Sequence, residues 1–472
     1  ELLYRRAEWL TVMEALLAGD IGRAKQEELT KGWKHILTDQ FHDIIPGSSI
    51  HEVYEDSRED YAYIEGIARR VEQEACENML EQKGNTYTVF NASGWDMDQI
   101  ITIPGGADGV YRDADGNELI SQKGHEAAYV EVRGVPAMGT KTVIFEESLE
   151  EIQRDAPKAA FTVNGRDIDS PYYQITLNQY GQITRLYDKT CAREVIPEEQ
   201  RANVLQVFED KPLDNDAWDI DIFYQEKMRE ITDLTAFEIT EMGPLSMTIH
   251  MEWNYMNSCI RQDMILYSSD RRIDFRTNVE FHEQHQLLKA AFPVDIRSTY
   301  GTYDVQYGNV RRPNHWNTSW DMAKFETVAH RWADLSERNY GVSLLNDCKY
   351  GHDIKDNVMR ISLLRAGTHP DHLQDQGEHT FIYSLLPHKG DFVEGEVVKE
   401  AFALNEPMQA VKGESILGYD SFLSFDNEQV EVDAVKKSED GKYIVVRFHE
   451  FAGSRQEVAL KPGFTWQAWA QC

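Results

Sequence analysis

The sequence is poor in cysteine and in positive charge, and it contains no long apolar run. Five cysteines (Cys76, Cys191, Cys259, Cys348 and Cys472) are scattered through 472 residues. No CxxC or CxC spacing occurs among them, which argues against a zinc knuckle or a disulfide framework and favours a reducing, cytoplasmic setting. Lys and Arg number 48 against 81 Asp and Glu, a formal net charge of −33. Nucleic acid and anionic membrane surfaces would repel such a chain, so neither is expected as a partner. No apolar stretch approaches the roughly 20 residues that a spanning helix needs. A signal-peptide pattern, internal repeats and low-complexity tracts are also missing. The first residue, Glu1, already lies in a helical pattern, so the chain is expected to be a portion of a longer protein.

What is present supports packed cores. The chain is 41% hydrophobic and 11% aromatic, and its length points to several domains. The expected architecture is multidomain, α then all-β: a three-helix bundle, a small β-sandwich, a large β-sandwich and a C-terminal β domain. Residues 1–82 carry three apolar stripes at helical spacing. They are Leu2, Leu3, Trp9, Leu10, Met13, Leu16 and Leu17; then Leu29, Trp33, Ile36, Leu37 and Phe41; then Ile50 through Ala75. Ser49 with Glu52 reads as a capping box for the third helix. Beyond Gly84 the period changes to two, and residues 84–150 read as the small β-sandwich. Asp115-Gly116-Asn117 makes a hairpin turn between Tyr111 and Leu119 rather than a calcium loop. Glu146 to Lys158 reads as a charged linker. Short strands dominate residues 158–390, among them 173–177, 247–251 and 272–276, as expected of a large antiparallel sandwich. Residues 391–472 read as a third β segment, packed with or part of the sandwich region.

One segment exceeds what a bundle loop requires. The second helix runs into Gln40-Phe41-His42-Asp43-Ile44-Ile45-Pro46-Gly47-Ser48-Ser49. Pro46, Gly47 and Ser49 suffice to stop one helix and start the next. A His-Asp pair at a helix end also has a bland explanation, a cation-favouring position beside the negative helix terminus. Other candidates compete with equally plain readings. Trp218 with Asp216 and Asp219 combines an aromatic face with carboxylates, which suits sugar stacking and hydroxyl bonding. His282 and His285 beside Glu283 would point to opposite faces of a strand, which disfavours a metal site there.

The segment from Trp33 through Asp56 closely resembles the helical-domain signature of glycoside hydrolase family 38, the zinc-dependent retaining α-mannosidases. Similar blocks follow at Phe208–Pro212 with Asp216–Asp221, and at Glu283–Lys289 with Ala291-Phe292-Pro293. Further ones are Arg312-Pro313 with Asn317–Asp321, His330–Ser336 and Gly341–Gly351. They look most like the cytosolic, vacuolar and bacterial branch and span nearly the whole chain. The resemblance implies a mutarotase-like large sandwich and a zinc cofactor, with a mannose-containing oligosaccharide as substrate. Members are often oligomeric, so a homo-oligomer is among the implied partners. By the same match His42 is a zinc ligand, and Asp43 binds or orients mannose. Arg331, Asn346, Asp347 and Tyr350 lie in blocks similar to segments that wall the active site. The family's other ligands, a His-x-Asp pair and a nucleophilic Asp, belong to a preceding α/β domain for which no segment here offers a βαβ pattern. No catalytic nucleophile or acid/base is therefore assigned in this chain, and the chain alone is expected to be inactive. Two other classes stay open on the residues: a carbohydrate-binding β-sandwich module without catalysis, and a mutarotase-like isomerase with its own acid and base.

Overall fold

A computed structural model describes residues 1–147 and 160–471, so Cys472 and most of the expected linker lie outside the described residues. Within them, no helix is long and apolar enough to cross a membrane. The described residues within Glu1–Phe41, Glu55–Gln153 and Glu406–Cys472 form one compact unit. Those within His42–Tyr54 and Arg154–Asn405 form the other.

The first unit is built on the expected helices, Leu2–Leu17, Gln26–Asp39 and, from Glu55 onward, His51–Met79. The first helix is not a one-faced bundle member. Tyr4 and Ala7 pack with Leu29, Ile36, Ala68 and Val71 of the other two helices. Trp9, Leu10, Val12 and Met13 pack instead with Phe90, Phe422, Val432 and Val435 of the β-strands. Being covered on both sides, it buries polar groups that need partners. Arg5 bonds the Glu406 carboxylate at 2.6 Å. The Trp33 indole N–H donates to Glu8 at 3.0 Å, and the Asn78 amide donates to Glu14 at 2.6 Å. The small β region forms a five-stranded and a three-stranded sheet, and strand Gln409–Lys412 joins the former beside Thr86–Asn91. The 113–117 turn forms as expected. Tyr111 pairs with Leu119, and the Asp113 carboxylate accepts the N–H groups of Asp115 and Asn117.

The second unit is the large sandwich. A nine-stranded and a six-stranded antiparallel sheet, with a further five-stranded one, enclose a single apolar core. The period-two pattern works as the sequence suggests. Met247, Ile249, Met251 and Trp253 of strand Ser246–Tyr255 all enter that core. Several strands also bury polar side chains, and one buries a lysine: Lys289 is fully buried in strand Gln286–Pro293. Its ammonium bonds Asp353 at 2.7 Å, Tyr224 at 3.1 Å and Glu326. Burial alone would strip its proton, but Asp353 and Glu326 outweigh it and hold the ammonium charged far above its ordinary range.

Two expectations need correction. The third helix starts at His51, and the Ser49 hydroxyl donates to the Asp43 carbonyl at 2.6 Å, closing the loop before the helix. The segment after residue 390 is not wholly β, because Val397–Asn405 is a helix. Its buried stripe, Val397, Val398, Ala401 and Phe402, is too short to stand out against the strands around it.

Two helix glycines and the buried lysine test this packing. A methyl group on Gly32 would meet the Tyr4 hydroxyl at 1.7 Å, whereas one on Gly66 meets nothing within 4 Å. Overpacking costs about 1–3 kcal/mol and outweighs the roughly 1 kcal/mol that alanine adds to a helix. Gly32→Ala should therefore lower the thermal midpoint while Gly66→Ala raises it; calorimetry showing the same sign for both would contradict this packing. Lys289→Ala, which takes the shared cation from Asp353 and Glu326 and leaves Arg360 and the Tyr224 hydroxyl as their partners, should cost about 3 kcal/mol in urea denaturation.

Candidate functional site

Helix Gln26–Asp39 ends immediately before the His-Asp segment, and residues 41–47 are a succession of turns closed by Gly47 at φ +81°. The His42 side chain is 80% exposed and that of Asp43 is 39% exposed, with Nε2 of the first 3.5 Å from Oδ2 of the second. The imidazole and the carboxylate thus face solvent, yet the backbone beneath them is tied down. The Asp43 carbonyl accepts the Ser49 hydroxyl at 2.6 Å, with the Ser48 and Tyr54 hydroxyls each at 3.4 Å. The Tyr54 hydroxyl in turn accepts the Ser49 N–H at 2.8 Å.

The rest of the grip comes from residues 365–376, beyond strand Val358–Arg365. His51 Nδ1 lies 3.2 Å from the buried Asp371 carboxylate, and the Gln374 amide donates to the Gly47 carbonyl at 3.4 Å. On its other side the same loop walls a cavity of about 340 Å³ lined by Lys211, Pro212, Asp214, Asn215, Asp216, His285 and His369. Strand pairing explains the convergence. Glu209 is opposite Gln286 and Leu287 is opposite Arg365, so Asp210, His285 and Ala366 leave one end of the six-stranded sheet together.

Asp216 is the anchor of this cavity. Its carboxylate accepts the Thr368 N–H at 2.7 Å, the His369 N–H at 2.8 Å and the Thr368 hydroxyl at 3.1 Å. Burial alone would raise its pKa, but these donors and the neighbouring His285 prevail and hold it below the usual carboxylate range. His285 adopts φ +54°, uncommon for a non-glycine residue, and two backbone bonds fix it there. Its N–H donates to Ala366 at 2.7 Å, and its carbonyl accepts Asp210 N–H at 2.8 Å. The ring Nδ1 is buried, 3.5 Å from the Asp216 carboxylate, and makes no hydrogen bond. Trp218 sits in the same turn as Asp216, its N–H bonded to the Asn215 carbonyl at 2.8 Å, and is 62% exposed. Asp219 contributes its carbonyl, which accepts from Arg365.

The remaining sequence candidates gather elsewhere, where strands Trp332–Ser336 and Tyr340–Asn346 meet. Arg331 and Asn346 share a backbone bond of 2.9 Å, and Arg331 Nε reaches Asp304 at 3.3 Å. The buried Asn346 amide donates to the His330 carbonyl at 2.8 Å and accepts the Lys349 N–H at 2.9 Å. Asp347 accepts the Ile382 N–H at 3.0 Å. Tyr350 is half exposed, its ring 5.5 Å from that of His330. Asn346 and Asp347 thus shape the turn, Arg331 is half-buried, and Tyr350 is the exposed member.

Sequence reasoning overlooked His369, Asp371, Gln374 and the His51 contact. Their signal was slight: a Thr-His-Pro-Asp-His run in a polar loop, with nothing local to tie it to residues some three hundred positions away. The separation of His282 from His285 has a different cause from the strand argument. Neither lies within a strand, and His282 turns to Glu280 at 3.3 Å. Among the described residues, no group of three or more His, Cys, Asp or Glu side chains could hold a metal ion. His42 with Asp43 presents two accessible donors on a fixed backbone, a fit for part of a zinc site and not for the whole of one.

Comparison with known proteins gives a consistent picture. Residues 1–79 match the family model described as the α-mannosidase middle domain. Residues 168–373 match the glycosyl hydrolases family 38 C-terminal domain, and residues 429–472 the C-terminal β-sandwich domain of that family. Alpha-mannosidase G of Dictyostelium discoideum is 32% identical over 91% of this chain and 43% of its own length. Alpha-mannosidase 2C1 of Homo sapiens is 32% identical over 91% of this chain and 40% of its own. The chain therefore spans about two-fifths of these curated relatives. The crystal structure of an α-mannosidase from Enterococcus faecalis V583 superposes with a TM-score of 0.78 at 16% identity. That match covers 97% of this chain and 61% of the other, a likeness of fold. The chain belongs to glycosyl hydrolase family 38, whose middle and C-terminal domains it carries.

Proposed function

We propose that this chain is the ligand-completing and substrate-walling part of a zinc-dependent, retaining α-mannosidase that removes terminal α-linked mannose from oligosaccharides in the cytoplasm. The observation that carries the reading is the His42–Asp43 loop, whose side chains are exposed while its backbone is held from two directions. An exposed imidazole on a flexible loop would be a poor ligand, because ordering it on binding costs entropy. A preorganised one loses little.

In this reading His42 offers one nitrogen to the metal, and Asp43 accepts a mannose hydroxyl. Arg331 and Tyr350 contribute to the sugar-facing wall, and Asn346 and Asp347 hold the turn that presents them. Zinc bound there would supply Lewis-acid contact to sugar hydroxyls and help to fix the ring for in-line attack. Retention requires two carboxyl groups about 5–5.5 Å apart. We assign neither to this chain, so the chain alone should be inactive. The second reading, a sugar-binding module without catalysis, is favoured by the Asp216 cavity but leaves the restrained His42 loop without a purpose.

Hydrolysis of 4-nitrophenyl α-D-mannopyranoside with added zinc tests the proposal on this chain and on an N-terminally extended protein. Turnover is expected only in the extended protein, reduced at least about a hundredfold by His42→Ala, as loss of a metal ligand requires. Turnover by the short chain, or an extended His42→Ala variant that retains wild-type rate, would refute it. The two restraints can be probed separately. His51→Ala and Gln374→Ala in the extended protein should each weaken zinc binding about 10–100-fold with little change in thermal midpoint. Unchanged zinc affinity in both would mean the grip on the loop has no bearing on the metal.

A further inference from the structure

We infer that the cavity bounded by Asp214, Asp216, Lys211, His285 and His369 binds one neutral pyranose ring of the glycan, with the Trp218 indole offering a stacking face at the rim. At about 340 Å³ the cavity lies within the range of small-ligand sites. Its walls alternate hydrogen-bond character. Asp216 is held ionised and accepts only, Asp214 likewise presents a carboxylate, and Lys211 and the imidazoles can donate. A phosphate or carboxylate ligand would meet two aspartates. An ammonium, which only donates, would answer the aspartates and leave the donors Lys211, Asn215 and the imidazoles without an acceptor. A hydroxyl donates and accepts at once and satisfies both kinds of wall.

Three further features mark the cavity as built to receive something. Asn215 and His285, which line it together, both take left-handed backbone conformations, at φ +48° and +54°. Such conformations in non-glycine residues persist where the surroundings impose them, often at ligand sites. His285 Nδ1 is buried 3.5 Å from the Asp216 carboxylate and makes no hydrogen bond. Gln374 packs so closely on Gly367 that a methyl group there would sit 2.4 Å from its Oε1 and 3.5 Å from the Asp216 carboxyl carbon. The same amide reaches the Gly47 carbonyl of the His42 loop through its Nε2. Trp218 is exposed on the turn that carries Asp216, next to the lining residues and not one of them, so a ring seated in the cavity would reach its apolar face only at the rim.

The choice of a sugar as occupant rests on the mannosidase reading; the donor–acceptor pattern and the strained wall do not. The experiment is calorimetric titration of this chain in EDTA with α-1,3-mannobiose and, separately, with inorganic phosphate. Saturable binding of the disaccharide with Kd of order 1 mM is expected, and none of phosphate. Trp218→Ala, an exposed position, and His285→Asn, which tolerates the left-handed backbone, should each weaken it about tenfold or more. His282→Ala, a residue that does not line the cavity and that contacts Glu280, should not change it. Absence of disaccharide binding, binding indifferent to both variants, or binding of phosphate in its place would overturn the inference. Because the titration needs neither metal nor turnover, its failure with zinc-dependent hydrolysis intact would discard this cavity alone. Failed hydrolysis with binding intact would discard only the mannosidase reading.

Discussion

Four aspartates decide where the chemistry-bearing side chains of the sandwich unit stand, because residues 365–376 form a loop whose polar groups must be satisfied. Asp216 takes the N–H groups of Thr368 and His369. Asp375 takes that of Arg365, and Asp371 that of Leu373. Asp210 holds the Arg365 guanidinium at 2.5 Å. With its backbone so fixed, the loop can present Asp371 to His51 and Gln374 to Gly47. Much of what is informative about the His42 loop, its exposure combined with restraint, depends on that arrangement. The acidic balance of the chain has a structural use here, since carboxylates are the acceptors that a loop rich in unpaired N–H groups requires.

A loop of this kind also explains how separate stretches of sequence come to share a site. The register of the six-stranded sheet brings three chain segments to one sheet end, around 210, 285 and 366. Each contributes a group whose partner lies on another segment: Asp210 with Arg365, Asp216 with Thr368, His285 with Ala366. The antiparallel sheet supplies precision, and the loops beyond it supply chemistry, as is general for sites on rigid scaffolds. The buried Lys289 cluster lies further along the strand that His285 precedes and helps to keep that platform in register, with Asp353 bridging Lys289 and Arg360.

The sequence makes the order of elements legible because periodicity is a local property. The change from a period near 3.6 to one of two at Gly84 marks the passage from helices to strands. The alternation at Met247, Ile249 and Met251 is enough by itself to identify a core face. The helix at Val397–Asn405 escapes because nine residues give too little of a stripe. The first helix misleads in another way, since a helix covered on two sides has apolar residues all round and no single face to read. His42 and Asp43 stand out as exceeding the needs of a turn, and Trp218 with Asp216 as an aromatic–carboxylate pair. The contacts that fix the His42 loop, His51 with Asp371 and Gln374 with Gly47, span more than three hundred residues. Only the fold brings such positions together, so no local pattern in one sequence could have revealed them.

The central proposal is that His42 ligates zinc when the whole site is assembled. X-ray absorption at the zinc K-edge of the N-terminally extended protein reads this directly, because imidazole ligands leave a distinct outer-shell scattering signal. Ligation by His42 predicts a spectrum for the His42→Ala variant with one imidazole fewer than wild type at equal zinc loading. An unchanged imidazole count in that variant would contradict it and leave the His42 loop as a structural turn.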